Sequence, residues 1–147
     1  MSTILQLKPQ SFSIDTLPSL GEAIDPVGAW QLVQQGLAKL VDIRSHEERT
    51  FVGYIPEISH VPWANGTKLN RNPRFARELA AQVNKNDVVL LICRSGKRSA
   101  LAAQEAIKHG FKHIYSVAEG FEGDLDEYGH RGGFNGWRFH HLPWQQD

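Results

Sequence analysis

The sequence predicts an α/β fold in which helices cover both faces of a parallel sheet. Two observations predict it. Residues Val88–Ile92 form a continuous run of β-branched and leucine residues, which is typical of a strand buried on both faces. Short apolar runs of this kind alternate with longer segments of helical periodicity, as in parallel α/β domains. The chain has 147 residues, 41% hydrophobic and 22% charged, which suits one globular domain.

The first part of the chain contains one predicted helix and one predicted strand. Asp25 is a favourable N-cap and Pro26 a favourable first-turn residue, so a helix is expected to begin there. Its apolar face is predicted to consist of Val27, Trp30, Val33 and Leu37. Gly36 is the stop signal, and a short strand follows at residues 40–43.

A second helix is expected to open at Asn72 and Pro73. Its buried face is predicted to consist of Phe75, Ala76, Leu79, Ala80 and Val83. A turn at residues 86–87 then leads into the strand Val88–Ile92.

The last part of the chain is predicted to contain a helix at residues 99–109 and a strand at His113–Val117. The helix is indicated by the spacing of Ala100, Ala103, Ala106 and Ile107. Gly110 is its stop signal. The glycine-rich residues 129–136 are expected to be a surface loop before a docked tail. The tail is predicted to bury Trp137, Phe139, Leu142 and Trp144.

The only cysteine, Cys93, is followed by a loop rich in cations and hydroxyls. The loop residues are Arg94, Ser95, Gly96, Lys97, Arg98 and Ser99. Because the loop joins a strand to a helix, unpaired N–H groups and the helix dipole would stabilise an anion there. Thiols in such surroundings ionise more readily than free thiols. A lone cysteine is more often a small buried hydrophobe, but cations around an inert buried site would cost desolvation. The pattern therefore favours a reactive thiolate in an anion-binding loop.

Four segments carry a resemblance to a known family. They are Asp42 and Arg44 with Glu48 downstream, residues 53–62, the Cys93 loop, and residues 119–123 with the tail at 136–144. In this order they resemble the rhodanese superfamily, in particular the single-domain bacterial thiosulfate sulfurtransferases, over roughly residues 20–145. Departures from the family pattern are Tyr54, Glu57, Ile58 and His141. They concern substrate preference more than the reaction.

The resemblance implies a rhodanese-like fold, with about five strands in the sheet, and a double-displacement reaction without a cofactor. Cys93 would attack the outer sulfur of thiosulfate or of a persulfide donor. The resulting Cys93 persulfide would then pass its sulfur to cyanide or a thiol. The resemblance also implies roles for the loop residues. The N–H groups of Arg94 to Ser99 would stabilise the terminal sulfur, and Arg94 and Lys97 would bind the donor's sulfonate. Arg98 would either bind the substrate or support the architecture of the loop. Ser95, Gly96 and Ser99 would shape the loop, and Asp42 and Arg44 would form a supporting ion pair.

Composition argues against several other classes of function. One cysteine allows no internal disulfide, which excludes a dithiol reductase with its own resolving thiol. A net charge of zero gives no indication of nucleic-acid binding. The seven histidines show no metal-ligand spacing, so no metal is expected.

The sequence also carries expectations about location and domain organisation. No apolar run approaches the ~18 residues of a membrane span, and no signal peptide is recognised, so the expected location is cytoplasmic. Residues 1–20 are expected to be an N-terminal extension, and residues 21–147 a single rhodanese-like domain that includes the tail.

Three alternatives to a thiosulfate sulfurtransferase share parts of this pattern. Phosphatases with a rhodanese-like fold have five residues between cysteine and arginine, whereas four separate Cys93 from Arg98, which favours sulfur over phosphate. A carrier that serves a protein partner in a sulfur relay needs the same persulfide, so the sequence does not separate it from an enzyme. A non-catalytic binding module is disfavoured by the presence of Cys93.

Overall fold

A computed structural model describes residues 17–147, so most of the predicted extension, residues 1–16, lies outside the described part. The strands are β1 (Ala23–Ile24), β2 (Lys39–Asp42), β3 (Ser59–His60), β4 (Ala64–Asn65), β5 (Asn70–Arg71), β6 (Val88–Ile92) and β7 (His113–Val117). The helices are α1 (Pro26–Gln34), α2 (His46–Val52), α3 (Phe75–Gln82) and α4 (Lys97–Lys108). None of these helices is long and apolar enough to cross a membrane.

The central sheet confirms the predicted fold class. It contains five strands in the order β1-β7-β6-β2-β3, and every neighbouring pair is parallel. Strands β4 and β5 form a separate antiparallel pair. Parallel strands require crossover connections, which the helices supply.

Two hydrophobic cores lie on opposite faces of the sheet. Successive side chains of a strand point to opposite faces, and β6 shows the alternation clearly. Val89 and Leu91 pack with α3 and α4, whereas Leu90 and Ile92 pack with α1 and the C-terminal tail. Burial on both faces fixes the position of β6, and with it the position of Cys93 directly after its last residue.

Helix α1 begins as predicted, but its buried face differs from the prediction. Asp25 Oδ1 accepts the Gly28 N–H at 2.6 Å, which is the expected N-cap contact. Val27 and Leu37 are each 39% exposed, so their assignment to the buried face was wrong. The buried residues are Pro26, Gly28, Ala29 and Leu32. Small residues on this side let the helix approach the sheet closely, and the larger Trp30 and Val33 pack at its border.

Two further helical predictions need correction. Ala80 of α3 is exposed, because the buried side of this helix follows Phe75, Ala76 and Leu79. Helix α2 was not predicted, although its sequence contains a capping box. The Ser45 Oγ accepts the Glu48 N–H at 3.2 Å, and a Glu48 carboxylate oxygen accepts the Ser45 N–H at 3.0 Å.

The C-terminal tail docks mainly through one tryptophan. Trp137 is fully buried, and its indole N–H donates to the Pro143 carbonyl at 2.8 Å. The prediction that Phe139 and Trp144 are buried was wrong, because both remain exposed, and Leu142 is only half-buried. The tail therefore covers the sheet with Trp137 and leaves the other aromatic rings at the surface.

Candidate active site

The sulfur of Cys93 lies under the loop that leads from β6 into α4. The Gly96 N–H donates to Cys93 Sγ at 3.1 Å, and the Ser99 N–H donates to it at 3.3 Å. Gly96 has a φ of 104°, a left-handed conformation that glycine adopts without strain. Cys93 is 1% exposed, so protein donors rather than bulk water surround its sulfur. Such an arrangement stabilises negative charge on the sulfur or on an atom bonded to it.

A pair of buried serines lies beside the cysteine. Ser99 Oγ is 3.4 Å from Cys93 Sγ and donates to the Gly96 carbonyl at 3.1 Å. Ser116 Oγ of β7 lies 2.6 Å from Ser99 Oγ. Both serines are almost fully buried, and among the described residues the Ser116 hydroxyl has only Ser99 Oγ as a hydrogen-bond partner. Ser99 therefore connects the sulfur, the loop backbone and the adjacent strand.

Arg98 is held by Glu48 rather than directed at Cys93. Its two terminal nitrogens each donate to one carboxylate oxygen of Glu48 at 2.7 Å. Burial raises the pKa of Glu48, but the hydrogen bonds from Arg98 and Ser45 outweigh it and lower the pKa to about 2. Burial lowers the pKa of Arg98, and the bonds to Glu48 raise it overall. Both groups are charged at neutral pH, and the pair fastens α4 to α2.

Asp42 and Arg44 form a buried ion pair at the carboxyl end of β2. Arg44 Nε and Nη2 donate to the two Asp42 oxygens at 3.0 and 2.8 Å, and Nη2 also donates to the Gly53 carbonyl. The guanidinium lies 4.1 Å from the centre of the Phe121 ring. The pair therefore connects the end of β2, which is the neighbour of β6, to Gly53 and Phe121.

Near Cys93 in the sequence, Arg94 and Lys97 are the cationic side chains that form no ion pair with a described carboxylate. Among residues 17–147, no carboxylate contacts either side chain, and Arg94 Nε is buried without an acceptor. Lys97 is exposed, and Ser95 is half-buried at the crest of the loop. Arg94 also lines a cleft of about 250 Å³ that opens beside the loop. The positive charges of Arg94 and Lys97, one and four residues after Cys93, therefore have no carboxylate partner in the described part of the chain.

The segment after β7, residues 119–123, is hydrogen-bonded to Cys93 and to the loop that follows it. The Phe121 N–H donates to the Cys93 carbonyl at 2.7 Å, and the Glu122 N–H donates to the Arg94 carbonyl at 2.9 Å. Gly120 has a φ of 69°, and a Cβ atom there would lie 2.5 Å from the Arg94 carbonyl. Only glycine fits this approach. Glu119 then links the segment to the tail, because its Oε1 accepts the Gly136 N–H at 2.9 Å.

The helix after the cysteine begins two residues earlier than predicted, so Lys97, Arg98 and Ser99 lie in the first turn of α4 and only residues 94–96 form the loop. Arg98 points to Glu48, whereas Arg94 and Lys97 have no carboxylate partner among residues 17–147. Ser116 was missed by the sequence reasoning. The available signal was a hydroxyl residue in the otherwise apolar end of a predicted strand that neighbours the cysteine strand. Within residues 17–147, no cluster of three or more His, Cys, Asp or Glu side chains has the geometry to hold a metal ion.

Comparisons with known proteins agree with this architecture. A family model described as rhodanese-like domain matches residues 25–127. The crystal structure of Rv0390 from M. tuberculosis has a TM-score of 0.77 and 39% identity, covering 86% of this chain and 98% of that chain. Protein RP600 of Rickettsia prowazekii is 32% identical over 116 residues, which are 78% of this chain and 88% of the relative. Thiosulfate sulfurtransferase 18 of Arabidopsis thaliana is 29% identical over 115 residues, which are 76% of this chain and 84% of the relative.

Proposed function

Since the chain belongs to the rhodanese-like domain family, we propose that it is a sulfurtransferase with Cys93 as its sulfur-carrying nucleophile. The donor is thiosulfate or a persulfide, and the acceptor is cyanide or a thiol. The reaction has two steps and needs no cofactor, because the sulfur is held covalently on the protein between them.

In the first step, the Cys93 thiolate attacks the outer sulfur of thiosulfate. A bond forms between Sγ and that sulfur, and the sulfur–sulfur bond of thiosulfate breaks. Its electron pair leaves with sulfite, and Cys93 carries a persulfide anion. Arg94 and Lys97 are assigned to the negatively charged oxygens of the donor, because neither cation has a carboxylate partner among the described residues.

In the second step, the acceptor attacks the terminal sulfur of the persulfide. With cyanide, a carbon–sulfur bond forms, the bond to Sγ breaks, and thiocyanate leaves while Cys93 returns as the thiolate. The acceptor site lies where sulfite has departed, so Arg94 also serves an anionic acceptor. Asp42 and Arg44 keep the loop in place through both steps without contacting substrate.

The observation that supports this proposal most is the pair of N–H groups directed at Cys93 Sγ. The donors are Gly96 at 3.1 Å and Ser99 at 3.3 Å, and the cysteine that they contact is 1% exposed. They lower the energy of a sulfur anion without reorganisation during the reaction. A cysteine that served packing alone would not place two unpaired backbone donors on its sulfur.

The arrangement of Arg98 argues against a phosphatase. Arginines that bind phosphate frequently do so through two parallel N–H groups. Here the two terminal nitrogens of Arg98 direct such a pair of N–H groups at Glu48, at 2.7 Å each. The short loop and this ion pair together support sulfur transfer over phosphate hydrolysis.

Thiocyanate formation from thiosulfate and cyanide tests the proposal. The wild-type protein is expected to turn over with the parallel double-reciprocal plots of a two-step exchange, and Cys93→Ser is expected to be inactive. Absence of turnover with cyanide and with small thiols, while thiosulfate still loads sulfur onto the protein, would indicate a carrier that needs a protein acceptor. Absence of loading as well would contradict the proposal.

A further inference from the structure

A cationic cavity lies between α3 and the end of α4 that is remote from Cys93. Its volume is about 390 Å³, which is within the range of small-molecule sites, roughly 300–1,000 Å³. Three of the residues that line it are cationic, one is a histidine, and none is acidic. The lining residues are Pro73, Arg74, Ala76, Arg77, Ala80, Lys85 and His109. The protein has a net charge of zero, so this concentration of positive charge is local.

The position of the cavity separates it from the sulfur site. Helix α4 begins three residues after Gly96 follows Cys93 in the chain, and its C-cap is His109. The helix has 12 residues, so its two ends are about 18 Å apart. Lys85 lies in the turn before β6, the strand whose other end leads into Cys93. A ligand in this cavity would therefore not occupy the place of the sulfur donor.

Arg77 and Lys85 reach the cavity from different elements. Arg77 is an exposed residue of α3. Lys85 connects to the turn after α4, because its carbonyl accepts the Lys112 N–H at 3.0 Å and its Nζ lies 5.9 Å from the centre of the Phe111 ring. Among residues 17–147, no carboxylate forms an ion pair with Arg77 or Lys85. Two cations without a described partner therefore line one cavity.

Two glutamates pair with the other charged lining residues. Arg74 Nε lies 3.8 Å from Glu78 Oε2, and the two side chains are 69% and 41% exposed. An exposed pair at this distance is weak, so a more highly charged anion competes successfully for the guanidinium. His109 Nε2 lies 3.1 Å from Glu105 Oε2. Neither glutamate lines the cavity, so its lining carries no negative side chain.

Linked phosphate groups fit this set of side chains better than an acidic peptide does. A guanidinium donates two parallel N–H groups to phosphate oxygens, and a lysine ammonium supplies a compact point charge. A phosphoryl group carries several acceptor oxygens and up to two negative charges, so a short phosphate chain concentrates charge within one cavity. The carboxylates on one side of an extended peptide are about 6.6 Å apart, so few of them could enter together.

We propose that this cavity binds a small anion with two or more linked phosphoryl groups, through Arg77 and Lys85 with Arg74 at its edge. The binding is non-covalent, and it neither uses Cys93 nor depends on the proposed sulfurtransferase function. Inorganic triphosphate and nucleoside triphosphates belong to the ligand class, because they share the phosphate chain. The small side chains of Ala76 and Ala80 leave space for that chain beside α3.

Isothermal titration calorimetry with inorganic triphosphate tests the site, at an ionic strength of about 0.15 M to screen diffuse attraction. The wild-type protein is expected to bind triphosphate at least about tenfold more tightly than orthophosphate, and Arg77→Gln and Lys85→Gln are each expected to raise the Kd for triphosphate about tenfold. Lys68→Gln is the matched control, because Lys68 is exposed, pairs with no described carboxylate and lies outside the cavity. It is expected to keep the Kd within about twofold of the wild-type value.

A further variant distinguishes this cavity from the cations that follow Cys93. Arg94→Ala is expected to keep the wild-type Kd for triphosphate. A loss of affinity in Arg94→Ala with none in Arg77→Gln would overturn the proposal, because the anion would then be bound beside Cys93. An equal loss in Lys68→Gln would also overturn it, because only net charge would matter. Circular dichroism checks that the variants are folded.

The choice of ligand tests the phosphate chemistry. Absence of triphosphate binding to the wild-type protein, or equal affinities for triphosphate and orthophosphate, would overturn the proposal. A peptide of four glutamates that binds more tightly than triphosphate would overturn it in favour of an acidic protein segment. ATP distinguishes the two sources of the phosphate chain. Equal Kd values for ATP and triphosphate would support recognition of the chain alone, and tighter binding of ATP would support a nucleotide ligand.

Discussion

Ser116 Oγ lies 2.6 Å from Ser99 Oγ, and Ser99 Oγ lies 3.4 Å from the sulfur of Cys93. The two hydroxyls therefore form a buried chain from β7 to the reacting atom. When Ser116 donates to Ser99, the Ser99 hydroxyl becomes a better donor, because hydrogen bonds in a chain polarise one another. Ser99 can direct its proton to the Gly96 carbonyl or to an anionic sulfur. Ser116 acts through Ser99 and is a positioning residue.

Ser116→Ala is predicted to slow the alkylation of Cys93 by iodoacetamide about threefold to tenfold at pH 7. The thiolate would lose part of its stabilisation because Ser99 becomes a weaker donor. Ser59→Ala, in strand β3, is the control and is expected to react at the wild-type rate. Equal alkylation rates for Ser116→Ala and wild type would show that the serine pair serves packing alone.

Gly120→Ala is predicted to destabilise the protein far more than Gly129→Ala. Both glycines have left-handed backbone angles, at φ 69° and 77°. A Cβ atom at Gly120 would lie 2.5 Å from the Arg94 carbonyl, whereas one at Gly129 would meet nothing within 4 Å. In urea unfolding, the free energy of unfolding of Gly129→Ala should be about 1–2 kcal/mol below that of the wild type, from backbone strain alone. The free energy of unfolding of Gly120→Ala should be lower by at least about 2 kcal/mol more, and this variant should also lose sulfur-transfer activity. Equal losses would mean that the segment does not hold the Cys93 loop.

Arg94 and Arg98 are predicted to respond differently to replacement, although both follow Cys93 closely in the sequence. Arg98→Ala leaves the charge of Glu48 without its partner, so the free energy of unfolding should fall by about 2–3 kcal/mol. Arg94→Ala removes a guanidinium that no described carboxylate contacts, so stability should change by less than about 1 kcal/mol while kcat/KM with thiosulfate falls. Denaturant titrations and steady-state assays on both variants check this. The opposite pattern would assign substrate binding to Arg98.

Acid is predicted to lower the free energy of unfolding of the protein through protonation of Glu48. Its pKa is about 2 in the folded protein and near 4.5 in the unfolded chain, so folding favours the charged carboxylate. The stabilisation is fully present above pH 4.5 and is lost as the pH falls toward about 2; its size is on the order of 3 kcal/mol. Glu48→Gln removes this titration. The difference in unfolding free energy between wild type and Glu48→Gln should be constant above pH 5 and should shrink below pH 4.5. A difference that stays constant down to pH 2 would show that Glu48 is not held by Arg98.

Much of the fold could be predicted from local signals. Val88–Ile92 was predicted with the bounds the structure has, because its residues form an uninterrupted apolar run. His113–Val117 was also predicted with its bounds, although Ser116 interrupts its apolar residues. Asp25 and Pro26 marked the start of α1 through cap chemistry alone. The buried side of α1 could not be predicted in the same way. It is the side with Gly28 and Ala29, because close approach to the sheet favours small residues over the larger Val27.

In the site, too, local features could be predicted from the sequence and tertiary contacts could not. Cys93 and its loop could be predicted because every residue of the loop is consecutive in sequence. The partners of that loop come from other elements: Glu48 from α2, Ser116 from β7 and Gly120 from the segment after it. Their roles depend on which strands become neighbours, and the order of strands in the sheet is a tertiary property. For that reason the sequence left the role of Arg98 open, and its contact with Glu48 was found only in the structure.

The central claim is that Cys93 carries a persulfide. The most direct test is the intact mass of the fully reduced protein after incubation with thiosulfate, beside a Cys93→Ser variant treated in the same way. The account predicts a gain of one sulfur atom in the wild type, its loss on addition of cyanide, and no gain in the variant. A reduced wild-type protein that gains no sulfur, or a Cys93→Ser variant that gains the same mass, would contradict it.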